Sequence, residues 1–202
     1  MTVPDAAVRQ LLDKEEIREV LRRYCRGVDR MDNELIRSVY HDDAKEHHGG
    51  FRGETPDDFI TYADERSGTF QSTSHFVTNH SVELAGDVAY SEAYVLVVHH
   101  GEGPDGPHEA IFGGRYVDRF ERRGGAWKIA DRVVVHDWAR VDQVHAWERA
   151  PLFVQGLRSR DDVAYARGLP GPGAAARAAL AKTEAAEQGA DAQHGDGVGA
   201  NG

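Results

Sequence analysis

A chain of 202 residues with 40% hydrophobic content can bury one sizeable core, and a second independent domain would have to be unusually small. The formal charge of −10, with arginines scattered among acids, excludes a phosphate backbone as a partner, and no uninterrupted apolar run approaches the roughly 20 residues that cross a bilayer. One cysteine, Cys25, allows no internal bridge, and the opening Met-Thr-Val-Pro-Asp is not a basic segment leading into an apolar run, so a cytoplasmic protein is expected.

Two helical phases open the chain. The second is expected from about Asp13, where Asp13 and Glu16 offer an N-cap pair, and Ile17, Val20, Leu21, Tyr24 and Val28 then fall three and four apart on one buried face. Gly27 weakens this helix near its end, and Asp29 lies just beyond the glycine. A short helix follows from Asp32 through Leu35, Ile36, Val39 and Tyr40. The polar stretch holding His41-Asp42-Asp43 and Glu46-His47-His48 reads as a solvated connection. Thr55-Pro56-Asp57-Asp58 is a strong helix start, with Thr55 as cap and Pro56 at the first helical position, leading to Phe59, Ile60 and Ala63.

From His75 the pattern changes to strands separated by turn residues: Phe76 to Leu84, Val88 to His100, Glu109 to Arg122 and Trp127 to Ala139. Strands this long imply strong twist or bulges, and Gly113-Gly114 is a natural place to bend. Helices followed by a meander predict an α+β fold, with N-terminal helices packed on a strongly curved antiparallel sheet in a cone-shaped α+β barrel. Leu152 to Leu169 retains enough apolar residues to pack back, so residues 1–169 are expected to form the domain and 170–202 a disordered Ala/Gly-rich tail.

Eleven histidines invite a metal hypothesis, above all at His47-His48 and His99-His100. Neighbours on a strand point to opposite faces, so an adjacent pair does not chelate one ion, and no metal is expected. The last strand is more informative. One parity carries Trp127, Ile129, Asp131, Val133 and Val135; the other carries Ala130, Arg132, Val134, His136 and Trp138, a mixture suited to a ligand pocket with a few polar groups in an apolar wall. The alternative is that Arg132 pairs with a carboxylate at a subunit contact. Alternation also puts Asn79 on the face of His75.

The stretches Ile17-Arg-Glu-Val-Leu-Arg-Arg-Tyr24-Cys-Arg-Gly-Val-Asp29, Tyr40-His-Asp-Asp-Ala44, Ser74-His75-Phe-Val-Thr-Asn79 and Tyr116-Val-Asp-Arg-Phe-Glu-Arg-Arg-Gly-Gly-Ala-Trp127-Lys-Ile-Ala-Asp-Arg132 together resemble the SnoaL-like branch of the nuclear-transport-factor-two-like superfamily. By motif the resemblance is nearest to bile-acid 7α-dehydratases, hexachlorocyclohexane dehydrochlorinase and scytalone dehydratase. It implies a catalytic Asp29 and His75, with Tyr24 and Arg132 as in the bile-acid enzymes, and a pocket lined by Tyr116, Val134 and His136. It also implies a homo-oligomer, a trimer before a dimer, and a small-molecule substrate handled without a cofactor.

The same four residues make chemical sense unaided. An imidazole with an ordinary pKa of about 6.5 suits a base at neutral pH, and a carboxylate on its other nitrogen fixes the tautomer and stabilises the imidazolium. A phenol can hydrogen-bond a leaving hydroxyl or a carbonyl gaining charge, and a guanidinium supplies fixed positive charge in a dry cavity. Each has a plainer reading: Tyr24 as core, Asp29 as a helix-end residue, His75 capping a strand entrance in solvent. The expected reaction is a dehydratase-type elimination on a largely apolar hydroxylated compound. Double-bond isomerisation, aldol-type cyclisation and a non-catalytic ligand-binding or interaction module remain as alternatives.

Overall fold

Ile17, Val20, Leu21 and Tyr24 form the buried stripe of a single helix, α1 (Asp5–Arg30). Burying each such side chain contributes about 1.5–3 kcal/mol. A computed structural model describes residues 5–68, 70–144 and 153–166. The helix runs unbroken through Asp13, so the expected second start is not there. Asp13 accepts hydrogen bonds from Trp127 Nε1 (3.0 Å) and Arg122 Nη1 (2.8 Å) of the sheet. Gly27 lies within the helix, and its reason is packing: a Cβ there would stand 2.7 Å from Ile36 Cγ1. Met31, at φ 51°, ends the helix, and Asp32 caps α2 (Asn33–Ser38) by accepting from the Leu35 N–H.

The stretch expected to be a solvated connection is instead a strand, β1 (Tyr40–His48), followed by the short β2 (Phe51–Gly53). Tyr40, Ala44 and Glu46 are buried, and Glu46 is 2% exposed. The polar composition conceals a strand whose inward positions include a carboxylate. Helix α3 (Pro56–Ser67) starts as expected: Thr55 Oγ1 accepts from the Asp58 N–H while the Asp58 carboxylate accepts from the Thr55 N–H, a capping box.

Four long strands follow, β3 (Phe70–Ala85), β4 (Val88–Gly103), β5 (Gly106–Arg123) and β6 (Ala126–Gln143). The fold is α+β as expected, with the helices on one face of a six-stranded sheet in the order β2-β1-β6-β5-β4-β3. The meander is antiparallel, but β1 joins β6 in parallel, so the sheet is mixed and open. Buried residues of α1, α2 and α3 meet Val82, Ala93, Val95, Tyr116, Phe120, Trp127 and Ile129 from the concave face in one core.

Bulges decide which residues face that core. On β3 the register slips between Val77 and His80, leaving Thr78 and Asn79 both exposed. On β6 one extra residue stands at Ala130, and another at Asp137, opposite Gly113-Gly114. Trp127 and Ile129 therefore share the buried face with Arg132, which strict alternation would forbid.

The chain divides into two compact units, residues 1–146 with 158–160 and residues 147–157 with 161–202. Everything above belongs to the first. In the second, Asp162 organises the described residues: its carboxylate accepts from the N–H groups of Ala164 (2.9 Å) and Leu157 (2.7 Å), capping a turn of 3-10 helix at Val163–Tyr165. The expected boundary at 169/170 and the tail 170–202 lie outside the described residues.

Candidate active site

The C-terminal turn of α1 brings Asp29 against the start of β3. Its Oδ1 lies 2.7 Å from His75 Nδ1 and accepts from Thr73 Oγ1 (2.9 Å), and its Oδ2 accepts from the His75 N–H (3.1 Å). Thr73 and His75 alternate onto one face of β3, so both reach the same carboxylate. With Nδ1 turned to Asp29, Nε2 is the nitrogen left for chemistry. The two side chains are 9% (His75) and 16% (Asp29) exposed, so the pair is not at the outer surface.

His75 lines a cavity of ≈ 360 Å³ between the helices and the concave sheet. Tyr24 and Val28 of α1, Phe59 and Tyr62 of α3, Val95 and Val97 of β4, Phe112 and Tyr116 of β5 and Val134 of β6 form its largely apolar wall, with His48, Arg66, Thr73, His99, His136 and Arg158 as polar exceptions beside His75. Gly114 stands where a Cβ would meet the Val135 carbonyl oxygen at 2.2 Å, so only glycine permits this approach of β5 to β6.

Tyr24, Tyr116, Val134 and His136 stand with His75 around one cavity. Arg132 does not line it. Its side chain is fully buried in a fork with Asp118 (Nε 2.7 Å, Nη2 2.8 Å), and its Cζ lies 4.1 Å from the Tyr24 ring centroid and 4.3 Å from that of Tyr116. The carboxylate partner comes from the same chain and not from a subunit contact. Burial works against the Arg132 charge, but the attraction of Asp118 prevails and holds the guanidinium's pKa well above its ordinary value. The guanidinium thus acts on the cavity from behind two aromatic rings. Asn79 is carried outward by the bulge at Thr78-Asn79, and Trp138, beyond the bulge at Asp137, is 52% exposed with its indole over Gly113 on the side away from His136.

Burial pushes the Tyr24 phenol well above its ordinary range, with the Glu46 carboxylate adding to this and Arg132 opposing it, so Tyr24 is a neutral hydrogen-bond donor. His99, in sequence no more than a metal-ligand candidate, stands in the cavity with its ring 5.9 Å from that of His75, and against Phe70 (4.3 Å) and Phe112 (5.4 Å). Burial, then the neighbouring His75 and Arg158, lowers its pKa to about 4. It is neutral at physiological pH. Its neighbour His100 points the other way, to Ser72 (2.8 Å) and Glu109 (3.0 Å), as strand alternation requires. Thr73 was also missed, because a threonine on a strand carries no signal until its partner is known. Among the described residues no group of three or more His, Cys, Asp or Glu side chains is disposed to hold a metal ion.

A helix-covered, curved mixed sheet with a histidine–carboxylate pair opening on a largely apolar cavity is a nuclear-transport-factor-two-like fold. The chain belongs to the SnoaL-like domain family, whose pattern matches residues 9–133. No curated protein matches the chain. Among solved structures it is similar to a putative scytalone dehydratase of Novosphingobium aromaticivorans (20% identity, TM-score 0.60, covering 68% of this chain and 92% of that one). It is also similar to the type-3 hexachlorocyclohexane dehydrochlorinase of Novosphingobium barchaimii (19%, TM-score 0.64, 71% and 99%) and to a protein of Kribbella flavida (23%, TM-score 0.61, 65% and 95%). At these identities the likeness is one of fold.

Proposed function

We propose that the protein is a cofactor-independent lyase that eliminates water from a small, largely apolar hydroxylated substrate, with His75 as base and Asp29 as its orienting carboxylate. The observation that carries this reading is the His75–Asp29 contact of 2.7 Å with the imidazole facing an apolar cavity. The carboxylate fixes the proton on Nδ1 and stabilises the imidazolium that forms when Nε2 removes a proton beside an activating group. Tyr24 donates a hydrogen bond to the carbonyl or hydroxyl of the substrate. The buried Arg132, behind Tyr24 and Tyr116, biases the potential there in favour of developing negative charge. A volume of ≈ 360 Å³ suits one compact molecule. Two of the structural relatives bear the names of elimination enzymes, a dehydratase and a dehydrochlorinase.

A lone buried thiol, Cys25, whose pKa burial pushes up to about 12, suits a reducing compartment, and we put the enzyme in the cytoplasm. Among the described residues no helix is long and apolar enough to cross a membrane. We further propose that it works as a homo-oligomer, a trimer before a dimer.

The test is a mass-spectrometric screen for loss of water from hydroxylated steroids, terpenoids and aromatic polyketides. His75→Ala should lower turnover by at least ~10²-fold, the contribution of a general base, with little change in melting temperature. Asp29→Asn should keep the fold and lower turnover sharply. Substantial activity in His75→Ala removes it as the base.

A further inference from the structure

A second histidine–carboxylate pair opens on the same cavity, from the strand whose polar sequence had concealed it. Glu46 and His48 alternate onto the inner face of β1, and His48 Nδ1 lies 3.2 Å from Glu46 Oε1. The other oxygen of Glu46 accepts from the Tyr40 hydroxyl at 2.5 Å. Glu46 is 2% exposed, a buried carboxylate with no task in the mechanism above. His48 lines the cavity, its ring stacked on Phe59 at 5.8 Å and 16° between planes. In the sheet order three strands separate β1 from β3, so the two imidazoles reach one cavity from different parts of the sheet.

From this we infer that His48, held by Glu46, is the proton donor to the leaving hydroxyl. The inference rests on the elimination reading. Dehydration needs an acid as well as a base, because hydroxide leaves poorly from carbon; its conjugate acid, water, has a pKa of about 15.7. Tyr24 is a weak candidate, since burial pushes its phenol well up, and His99 is neutral in the working range. Glu46 stands beside Arg132 in the sheet, but the guanidinium is forked to Asp118, and the Glu46 carboxylate is turned to Tyr40 and His48. With Nδ1 turned to Glu46, Nε2 of His48 is the nitrogen free to carry the transferable proton.

The step balances without a co-reactant. His75 Nε2 takes the proton from carbon, the C–H pair becomes the new π bond, the C–O bond breaks, and His48 Nε2–H protonates the departing oxygen to give alkene and water. His75 ends protonated and His48 neutral, and exchange with solvent resets both. The exposures suit these parts: the His48 side chain is 36% exposed and can reload from water, whereas that of His75 is 9% exposed.

The experiment uses two probes that yield the same enone, benzalacetone: the aldol of benzaldehyde with acetone, which must lose hydroxide as water, and its O-acetate, whose leaving group needs no proton. His48→Gln should slow the alcohol by about 10²-fold or more while holding the acetate within about threefold, whereas His75→Gln should lose both. Equal losses on the two probes, or no loss on the alcohol, overturns the donor role and leaves the elimination reading intact. If the wild-type protein accelerates neither probe while His48→Gln folds normally, the elimination reading falls and the donor role with it. Glu46 is a positioning residue, tested by Glu46→Gln. Its amide can keep the Tyr40 bond while donating to His48, so imidazole nitrogen NMR should find the neutral-state proton moved from Nδ1 to Nε2. An unmoved proton overturns the assignment to Glu46.

Discussion

His75 and His99 share a cavity and differ in what lies against them: a carboxylate for the first, the rings of Phe70 and Phe112 for the second. The depressed pKa of His99, about 4, has a consequence for stability. Between its ordinary 6.5 and about 4 the unfolded chain takes up a proton that the folded protein refuses. The contribution is therefore fully present above pH ~6.5 and is lost as the pH falls toward 4. His80, lowered to about 4 by burial and then by Arg18 and Arg22, adds a second slope of the same sign. Urea denaturation at pH 5 and pH 7.5 (chosen as ~1.5 below and ~1 above the ordinary value) should find His99→Phe less acid-sensitive than wild type. An identical acid slope in the variant would rule out His99 as a source. Of the residues around the cavity, His75, Asp29 and Tyr24 were legible because their types and order matched a family pattern. His99 and Thr73 were not, because each depends on a neighbour from another element, and Glu46 was not, because a buried carboxylate in a polar run reads as solvated until its strand is known.

Strands and helices were legible where local chemistry settles them. The Thr55-Pro56 start of α3 and the glycine turns of the meander emerged as expected, since capping boxes and left-handed glycines are decided within a few residues. Elements decided by distant partners were misread. Asp13 looked like a cap but bonds Trp127 and Arg122, and β1, polar in sequence, is a strand because β6 pairs with it in parallel. Bulges at Thr78-Asn79, Ala130 and Asp137 then shifted the parity that placed Asn79 and Trp138 in the pocket. The cross-strand fork between Asp118 of β5 and Arg132 of β6 allows a test at this scale. Asp118→Ala leaves a fully buried guanidinium unpaired and should cost about 3–5 kcal/mol, read as a lower urea midpoint. A loss below about 1 kcal/mol would mean that water reaches the pair.

At the scale of the whole molecule, the convex face of the sheet leaves apolar side chains uncovered. Phe76 and Leu96 face each other across β3 and β4, Val117 and Val133 across β5 and β6, and all four are at least 36% exposed. A surface of this kind supports self-association. Sedimentation velocity should give a species heavier than the 22.3 kDa chain, and Leu96→Glu with Val117→Arg should return it to a monomer. A wild-type monomer at micromolar concentration would refute the proposed assembly. The Asp29 carboxylate carries a last implication. It holds Thr73 and His75, 44 and 46 residues downstream, so the bond that orients the proposed base is also a long-range tie between the first helix and the sheet. On the proposed function, a partly folded chain in which that helix has not yet docked lacks an oriented base, so activity would arise only with the docked fold.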